Sequence, residues 1–540
     1  MTRAKADMAG GRRWRPLVCA LAVVAGTTAF TGATTSGREI VRTQVGLVRG
    51  VDHGSHREFL GIPYAAPPVG ELRWRLPQPP KSWSGVRDAS RQGARCAQHA
   101  SVTGTPATDT EDCLYLNVTV PDSASPRKPK AVMVWLHGGG FVEGSGGEYD
   151  ARRLAIHGDV VVVTINYRLG IFGNFGLPGL DGSGAFGLAD QQAALRWVRA
   201  NIRAFGGDPD TVTVFGQSAG GQSVCAHLAS PGAAGLFDRA IIQSAFCTED
   251  LPANLLAPGL PAVSPWEKAD MLAERGLRTA AEFGCTDPAT VVSCMRGLPA
   301  DRLMSVFGQF AGPAYGSSVL PRNPYQVLRE GRIHRVPVLS GTTRDEATYI
   351  RALHDLADRP LTAATYRRYL REAFGANAKR VLAAYPVRRS EPPSRTWARV
   401  ATDSALTCPT LERNRLFARH VPTYGYEFAD RSAPPTLPPV GYPYGAYHSA
   451  DALYLFDLRV GGPVRPLSPE QRRLAATMID YWADFARTGT PDGGARPAWQ
   501  RLRPRDPLPY TLSLAPGPGG IRPVDLAREH RCGLWSTVTI

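Results

Sequence analysis

The chain has 540 residues, of which 43% are hydrophobic and 20% are charged. This composition supplies enough apolar material for a packed interior and argues against disorder of the whole chain. The formal net charge is +15, but the basic residues are spread along the sequence and form no dense block or basic helix. We therefore interpret the charge as a solvated surface and expect no nucleic-acid partner.

The first 33 residues are predicted to be an export signal. Five basic residues lie between Arg3 and Arg15, an apolar run extends from Leu17 to about Phe30, and small residues follow in TGATTSG. This pattern is typical of a signal that is removed, here near Thr34; a retained amino-terminal anchor is the alternative. No later segment offers about 18 uninterrupted apolar residues. We therefore expect residues 34–540 to be secreted, with no integral membrane span.

Short apolar strands alternate with helix-compatible segments along the rest of the chain. This alternation predicts an α/β fold whose central, mostly parallel sheet is flanked by helices and buried on both faces. The Pro-rich segments at about 250–265, 433–443 and 503–523 are interpreted as long ordered loops. Residues 34–540 are therefore predicted to form a single domain. The predicted strands are 131–136, 160–167, 211–216, 239–244, 336–341 and 423–428, and the clearest helices are 189–206 and 470–488.

Nine cysteines occur, and removal of Cys19 with the export signal leaves eight. An even number of cysteines in an exported chain predicts disulfides. They show neither the CxxC pairs nor the clustering with histidine that is typical of a zinc site. We therefore expect no structural metal.

The one GxSxG motif, from Gly216 to Gly220, lies where the predicted strand 211–216 gives way to the helix-compatible run SAGGQSVCAHLA. A sharp turn from strand to helix needs glycines, because a β-carbon on either side would clash, and it lifts the serine hydroxyl above the sheet. A flexible turn without a chemical role is the alternative. The context favours Ser218 as a catalytic nucleophile.

A second glycine-rich motif, HGGGF from His137 to Phe141, follows the predicted strand 131–136. Three successive glycines leave backbone N–H groups free to approach a substrate oxygen. The N–H groups of Gly139, Gly140 and Ala219 would form an oxyanion hole, which typically contributes a few kcal/mol to transition-state stabilisation. A phosphate-binding loop is the alternative, but the motif lacks the Lys and Ser/Thr that a P-loop requires.

A serine nucleophile needs a base, and the base needs an acid that holds its tautomer. In this type of fold the chain order is serine, acid, histidine. Asp345 and Glu346 both follow the predicted strand 336–341, and the residues alone do not separate them. His448 is the favoured base because its loop follows strand 423–428 and could fold back over the serine. The further candidates are Asp403 and Asp451 for the acid, and His354, His420 and His530 for the base.

These motifs resemble those of the type-B carboxylesterase and cholinesterase family, over nearly the whole chain that follows the export signal. The combination of several such segments in one chain is highly specific. The segments that carry the resemblance are FLGIPYAAPPVGELRW (59–74), EDCLYLNV (111–118), FGGDPDTVTVFGQSAGG (205–221), GTTRDEATY (341–349), GAYHSADALYLF (445–456) and YWADFARTGTPDG (481–493).

The resemblance implies an α/β-hydrolase fold with a small amino-terminal antiparallel sheet. It implies hydrolysis of a small-molecule carboxylic ester without a cofactor. Carried over by residue, it implies Ser218 as the acylated nucleophile, His448 as the base and Glu346 as the acid. It therefore selects Glu346 over Asp345 and keeps the three oxyanion donors named above.

The resemblance also implies a disulfide pattern. Cys225 and Cys247 match no bridge of the family, so they either pair with each other or remain buried thiols. The implied disulfides join Cys96 to Cys113, Cys285 to Cys294 and Cys408 to Cys532.

The sequence departs from the family pattern at three places. Ala347 follows the acid where the family usually has glycine, and the segment between Cys96 and Cys113 has no Trp with which to bind a quaternary ammonium. Gln217 replaces the glutamate that commonly precedes the nucleophile. The missing Trp and Gln217 argue against choline esters and favour uncharged esters of small to medium size.

Phe141, Gln217 and Trp266 are the candidates for the walls of the substrate pocket. Two other functions are compatible with the fold. One is a non-catalytic binding protein, which would usually lack a member of the triad. The other is a lipase, which would need a mobile apolar lid, and none is identified in the segment 247–325. The sequence does not predict the oligomeric state.

Overall fold

Strands and α-helices alternate in the central part of the chain, as the sequence predicts, whereas the first eight strands precede any α-helix. The computed structural model describes residues 39–248, 250–256, 259–357, 359–459, 464–506 and 509–538. The predicted export signal lies outside these residues. The strands are β1 (Ile40–Thr43), β2 (Gly46–Arg49), β3 (Val51–Asp52), β4 (His56–Pro63), β5 (Val86–Asp88), β6 (Tyr115–Pro121), β7 (Lys130–Leu136), β8 (Tyr149–Asp150), β9 (Val161–Ile165), β10 (Gly207–Gln217), β11 (Arg239–Gln243), β12 (Glu267–Lys268), β13 (Ala314–Tyr315), β14 (Val338–Thr343), β15 (Thr423–Phe428), β16 (Asp457–Leu458), β17 (Thr511–Leu514) and β18 (Arg522–Val524).

Most of the α-helices lie in the chain segments that connect the strands of the parallel part of the sheet, and two short ones follow the last strand. A π-helix, Thr402–Thr407, continues directly into a longer α-helix. The α-helices are α1 (Arg152–Gly158), α2 (Gly170–Asn174), α3 (Phe186–Phe205), α4 (Ala219–Ala229), α5 (Ala269–Glu282), α6 (Val291–Arg296), α7 (Ala300–Met304), α8 (Pro324–Arg329), α9 (Ala347–Leu356), α10 (Ala363–Phe374), α11 (Ala378–Ala384), α12 (Pro393–Ala401), α13 (Cys408–Ala418), α14 (Ala452–Leu455), α15 (Pro469–Thr488), α16 (Leu526–Glu529) and α17 (Cys532–Trp535).

Eleven of the described strands form one central sheet, in the order β18-β17-β15-β14-β11-β10-β7-β9-β6-β4-β3. The run from β17 to β9 is parallel throughout, and antiparallel pairs occur only toward the two edges of this sheet as described. The predicted α/β fold with a mostly parallel sheet is therefore confirmed. A smaller sheet near the amino-terminal side pairs β1 with β2 antiparallel, as expected, and adds β5 in parallel.

Strand β7 shows why the centre of the sheet is apolar on both faces. Val132, Val134 and Leu136 belong to the hydrophobic core that also contains the buried face of α3. Met133 and Trp135, which alternate with them, belong to the opposite core, beside α15. Because successive side chains of a strand point to opposite faces, a strand covered by helices on both sides must be apolar at every position.

Helix α15 begins and ends where its sequence predicts. Ser468 accepts a hydrogen bond from the backbone N–H of Gln471, and the Gln471 side chain accepts one from the backbone N–H of Ser468, which is a capping box. Pro469 occupies the first turn, where its missing N–H costs nothing. The helix ends at Gly489, whose φ of 80° is readily adopted by glycine.

Four disulfides connect parts of the described chain. Three of them are the pairs that the family resemblance implies. The fourth joins Cys225 to Cys247 and answers the question that the sequence left open. The other three join Cys96 to Cys113, Cys285 to Cys294 and Cys408 to Cys532.

The topology brings several loops to one edge of the sheet. Strands β15, β14, β11, β10 and β7 are consecutive neighbours and run parallel, so their carboxyl ends lie side by side. In open parallel sheets this edge is where ligands bind. Of the helices in the described part of the chain, none is both long and apolar enough to cross a bilayer.

Candidate active site

The turn between β10 and α4 holds Ser218 in a strained backbone conformation. Ser218 has φ 57° and ψ −123°, a region that side-chain-bearing residues rarely adopt. Its backbone N–H donates to the carbonyl oxygen of Gln243 on the neighbouring strand, at 2.9 Å. Such strain persists only where surrounding contacts enforce it, and it is the geometry of a nucleophile elbow.

The glycines of the GxSxG motif are required by close backbone contacts. A β-carbon placed on Gly216 would come within 2.5 Å of the carbonyl carbon of Gly220. A β-carbon on Gly220 would collide with the carbonyl oxygen of Leu136, at the end of β7. The turn can therefore be this sharp only with glycine at both positions.

The HGGGF loop lies against the elbow and presents free backbone donors. Gly139 has a φ of 107°, and its carbonyl oxygen accepts bonds from the N–H groups of Val142 and Glu143, each at 3.0 Å. The N–H groups of Gly139 and Gly140 donate to no other group in the described part of the chain. Gly139, Gly140 and Ser218 line the same cavity, so these two residues border the space into which the serine opens.

The same loop is held rigidly on both sides. The His137 ring stacks on Tyr167 with 4.2 Å between ring centroids, and the Tyr167 hydroxyl donates to the His137 carbonyl oxygen at 2.6 Å. Burial lowers the pKa of His137 to about 4, so the ring is neutral. Gln98, two residues from the disulfide at Cys96, exchanges two hydrogen bonds with the backbone of Gly144, at 2.9 and 3.0 Å.

Glu346 and His448 form a buried pair next to the elbow. His448 Nδ1 donates to Glu346 Oε2 at 2.6 Å. The other carboxylate oxygen accepts from the Thr342 hydroxyl at 2.6 Å and from the Thr343 backbone N–H at 2.7 Å. Burial opposes ionisation of Glu346, but its electrostatic interaction with the His448 ring and the hydrogen bonds from His448 and Thr342 lower its pKa below the ordinary value. The carboxylate is therefore fixed in position and charged.

Two of the other candidate acids form hydrogen bonds with residues other than His448. Asp345 accepts two hydrogen bonds from the guanidinium of Arg431, both at 2.9 Å. Asp451 accepts from Gln243 and Tyr426 at 2.8 and 2.9 Å. Neither carboxylate is hydrogen-bonded to His448 within the described chain.

The remaining acid and one of the alternative bases meet away from Ser218. Asp403 binds Nδ1 of His530 at 2.6 Å, and Glu427 binds Nε2 of the same ring at 2.7 Å. Burial opposes protonation of His530, but the hydrogen bonds to the two carboxylates raise its pKa to about 9. His530 is therefore a structural imidazolium, and His354 and His420 do not line the cavity over Ser218.

A contact of Gln217 was not foreseen from the sequence. Its side-chain Nε2 lies 3.1 Å from His448 Nε2, so the amide donates to the ring nitrogen that does not bind Glu346. Among the described residues, no hydrogen bond joins the Ser218 hydroxyl to His448. The His448 ring is thus held by Gln217 on one nitrogen and by Glu346 on the other.

A cavity of about 350 Å³ opens over Ser218. Gly139, Gln217 and His448 line it together with aromatic and aliphatic side chains such as Tyr349. Gln217 is therefore where the sequence analysis expected it. The other two expected wall residues are not: Phe141 and Trp266 are 5% and 3% exposed, belong to the hydrophobic core, and are not among the described residues that line this cavity.

Two acidic residues of the cavity, Glu143 and Glu148, were also missed by the sequence analysis. They follow the HGGGF motif closely, and this proximity is the one signal that could have identified them. Burial raises the pKa of Glu143 above its ordinary value. Burial also raises the pKa of Glu148 to about 7, although the charge of Arg95 opposes the shift. The cavity is therefore less negative at neutral pH than two carboxylates would otherwise make it.

Comparisons with known proteins agree with this geometry. The model of the carboxylesterase family matches residues 37–535. The cocaine esterase of Oryctolagus cuniculus is 35% identical over 490 residues, which cover 85% of this chain and 88% of that protein. The para-nitrobenzyl esterase of Bacillus subtilis (strain 168) is 35% identical over 469 residues, which cover 84% and 90%. Among solved structures, the thermophylic PNB esterase superposes with a TM-score of 0.74 at 30% identity, over 92% of this chain and 100% of that one.

Proposed function

Because the chain belongs to the carboxylesterase family and is a carboxylic ester hydrolase, we propose that it acts through a triad of Ser218, His448 and Glu346. The observation that carries this proposal is the buried 2.6 Å contact between His448 Nδ1 and Glu346 Oε2, beside a serine at φ 57°. A base whose second nitrogen is held by a carboxylate keeps the tautomer that can accept a proton from serine.

The proposed reaction has two stages. In the first, the Ser218 oxygen attacks the ester carbonyl carbon while His448 Nε2 takes the hydroxyl proton. The negative oxygen that forms is held by the N–H groups of Gly139, Gly140 and Ala219. The C–O bond to the alcohol then breaks, and His448 gives its proton to the leaving oxygen. In the second stage, water attacks the acyl-enzyme by the same route and releases the acid.

Fluorophosphonate labelling tests this proposal directly. We expect one label per chain, on the peptide that contains Ser218, and complete loss of ester hydrolysis once the label is in place. A burst of about one equivalent of p-nitrophenol per chain would show that an acyl-enzyme accumulates. A label on any other serine, or hydrolysis by fully labelled protein, would contradict the proposal.

In this mechanism Gln217 positions the base in the resting enzyme. Its amide donates to His448 Nε2, so it favours the unprotonated ring and must turn away when Ser218 transfers its proton. We expect Gln217→Glu to move the acidic limb of the pH profile of kcat/KM to higher pH by about one unit, because a carboxylate there stabilises the protonated ring. The exposed substitution Gln309→Glu adds the same charge and is the control. Coincident profiles for the two variants would refute this role.

The proposed substrates are uncharged esters of small to medium size. Gln217 adds no charge beside the nucleophile, burial raises the pKa of Glu143, and the pKa of Glu148, raised to about 7, keeps that group largely neutral below about pH 7. The cavity volume of about 350 Å³ suits a ligand of modest size. The disulfides support the further proposal that the protein is exported to an oxidising compartment.

The charge of Glu148 should make substrate preference depend on pH. As the pH rises from 6 to 8, Glu148 loses its proton, and the rate ratio of a choline ester to its neutral dimethylbutyl isostere should rise about five-fold. Taking the ratio cancels the titration of the triad, which both substrates share. Glu148→Gln should flatten the ratio, whereas the exposed control Glu282→Gln should not. A ratio that is constant with pH in the unmodified protein would rule out this effect.

A further inference from the structure

Three potential metal ligands meet on the hairpin of β3 and β4, at the edge of the central sheet. The strands pair antiparallel, and His53 lies in the turn between them. His56 and Glu58 are two residues apart on β4, so their side chains point to the same side. Gly54, with φ 79°, folds the turn so that His53 comes over that side.

The ligand atoms of this cluster are close together. His53 Nε2 lies 3.2 Å from Glu58 Oε2, and His56 Nε2 lies 4.0 Å from Glu58 Oε1. One ligand atom from each of the three residues can be chosen so that all three lie within 4.8 Å of one another. Ligand atoms of a tetrahedral zinc ion are about 3.3 Å apart, given bond lengths near 2.0 Å. Side-chain adjustments of about an ångström would therefore bring the three into contact with one ion.

His56 is the most informative member of the cluster, because it is buried and one of its ring nitrogens is unused. Its side chain is 6% exposed. Nε2 is inaccessible to solvent and has no hydrogen-bond partner among the residues that the structure describes. A buried polar atom without a partner is costly, and such an atom in a native fold needs an explanation.

The other ring nitrogen of His56 has a partner. Nδ1 lies 3.1 Å from the Ser55 hydroxyl. When Nδ1 donates to that hydroxyl, the lone pair of Nε2 is left free for the cluster, which is the usual arrangement around a metal-bound imidazole.

We propose that His53, His56 and Glu58 form a zinc-binding site on the β3–β4 hairpin. Two imidazoles and one carboxylate are a ligand set that zinc accepts, with water in the fourth position. The sequence predicts no structural metal, because its cysteines form no CxxC pairs and no clusters with histidine. The HGSHRE run (53–58) contains neither, and its ligands come together only when the hairpin forms.

The charges nearest the cluster belong to a group of ion pairs. Arg152 and Asp150 both influence the electrostatics of His56. Arg152 lies 3.0 Å from an oxygen of Asp150 and 3.5 Å from one of Asp457. Asp150 also binds Arg459, and Asp457 also binds Arg153. Glu58 would therefore supply the negative charge that bound zinc requires within the cluster.

The role of the ion would be to fasten the edge of the sheet. β3 is the outermost strand of the central sheet at this side and contains two residues. Because its ligands come from both the turn and β4, the ion would hold the turn against β4. Zinc should therefore raise the temperature of unfolding and leave ester hydrolysis unchanged, because none of the three ligands lines the cavity over Ser218.

The test is zinc binding by the full protein, purified without a polyhistidine tag and freed of metal by chelation. We expect one zinc ion per chain in equilibrium dialysis and a rise of several degrees in Tm with zinc but not with magnesium. His53→Ala and Glu58→Gln should each weaken zinc binding by about ten-fold or more. Because His53 is exposed, its variant should keep the Tm of the metal-free protein.

The matched control is His157→Gln. His157 is an exposed histidine on α1 that lies 3.1 Å from Asp480, so it forms a histidine–carboxylate pair without a third ligand. This variant should bind zinc like the unmodified protein. The proposal is overturned if the unmodified protein binds no zinc at micromolar concentrations, or if binding is unchanged in His53→Ala and Glu58→Gln.

Discussion

Replacing Ser218 with alanine should abolish turnover of a short p-nitrophenyl ester, with kcat falling by about 10⁵- to 10⁶-fold. Losses of this size are typical when the nucleophile of a triad is removed, because the base and the oxyanion donors then have no hydroxyl to activate. The fold should persist, because alanine fits wherever serine does and the Ser218 hydroxyl makes no hydrogen bond to another described residue. The measurement is steady-state hydrolysis beside intact-mass detection of fluorophosphonate labelling.

Ser84→Ala is the matched control, because Ser84 is exposed and does not line the cavity. It should keep full activity and labelling. If Ser218→Ala kept more than a small fraction of the activity, another nucleophile would be responsible. If the unmodified, folded protein neither hydrolysed the ester nor took the label, the proposed triad would be wrong for this chain.

Replacing Glu346 with glutamine should lower kcat by about 10⁴-fold, because an amide can donate to His448 Nδ1 and so stabilise the wrong tautomer. The effect should be on kcat more than on KM, since Glu346 is buried beneath the base and does not line the cavity. The variant keeps the shape of the side chain, so the bonds from Thr342 and Thr343 can still hold one oxygen.

The neighbouring substitution Asp345→Asn controls for this prediction. Asp345 is adjacent in sequence but binds Arg431, so its loss should reduce stability and leave most of the catalytic rate. Equal losses of kcat in Glu346→Gln and Asp345→Asn would show that the loop as a whole matters and not the contact between Glu346 and His448.

The parts of the fold that the sequence predicts well are those fixed by local pattern. The sequence predicts β7 within one residue, because a strand buried on both faces is apolar at nearly every position. It also predicts the bounds of β15, whose aromatic residues Tyr424, Tyr426 and Phe428 favour a strand. It does not predict β17 and β18, because β17 lies in the Pro-rich segment 503–523, interpreted as a loop, and β18 begins at its end. They hold only four and three residues, and β17 is defined by its pairing with β15, far earlier in the chain.

The residues of the candidate site also fall into those that a local sequence pattern predicts and those that only the folded chain brings together. The GxSxG and HGGGF motifs are recognisable because the glycines are required by contacts within a short turn. The residues alone could not separate Asp345 from Glu346, since both lie just before α9. The two carboxylates differ in the side of the chain on which they lie, and the sequence does not show this. The contact between Gln217 and His448 joins residues 231 positions apart, so only the assembled sheet reveals it.

Gln98 connects the Cys96–Cys113 disulfide to Gly144, so the redox state of this disulfide should affect the rate of ester hydrolysis. Gln98 lies inside the loop that this disulfide closes, and it holds the segment that follows the HGGGF motif. Reduction of the disulfide would open the loop and weaken this support. We therefore expect the protein with Cys96 and Cys113 reduced to hydrolyse a p-nitrophenyl ester more slowly than the oxidised protein.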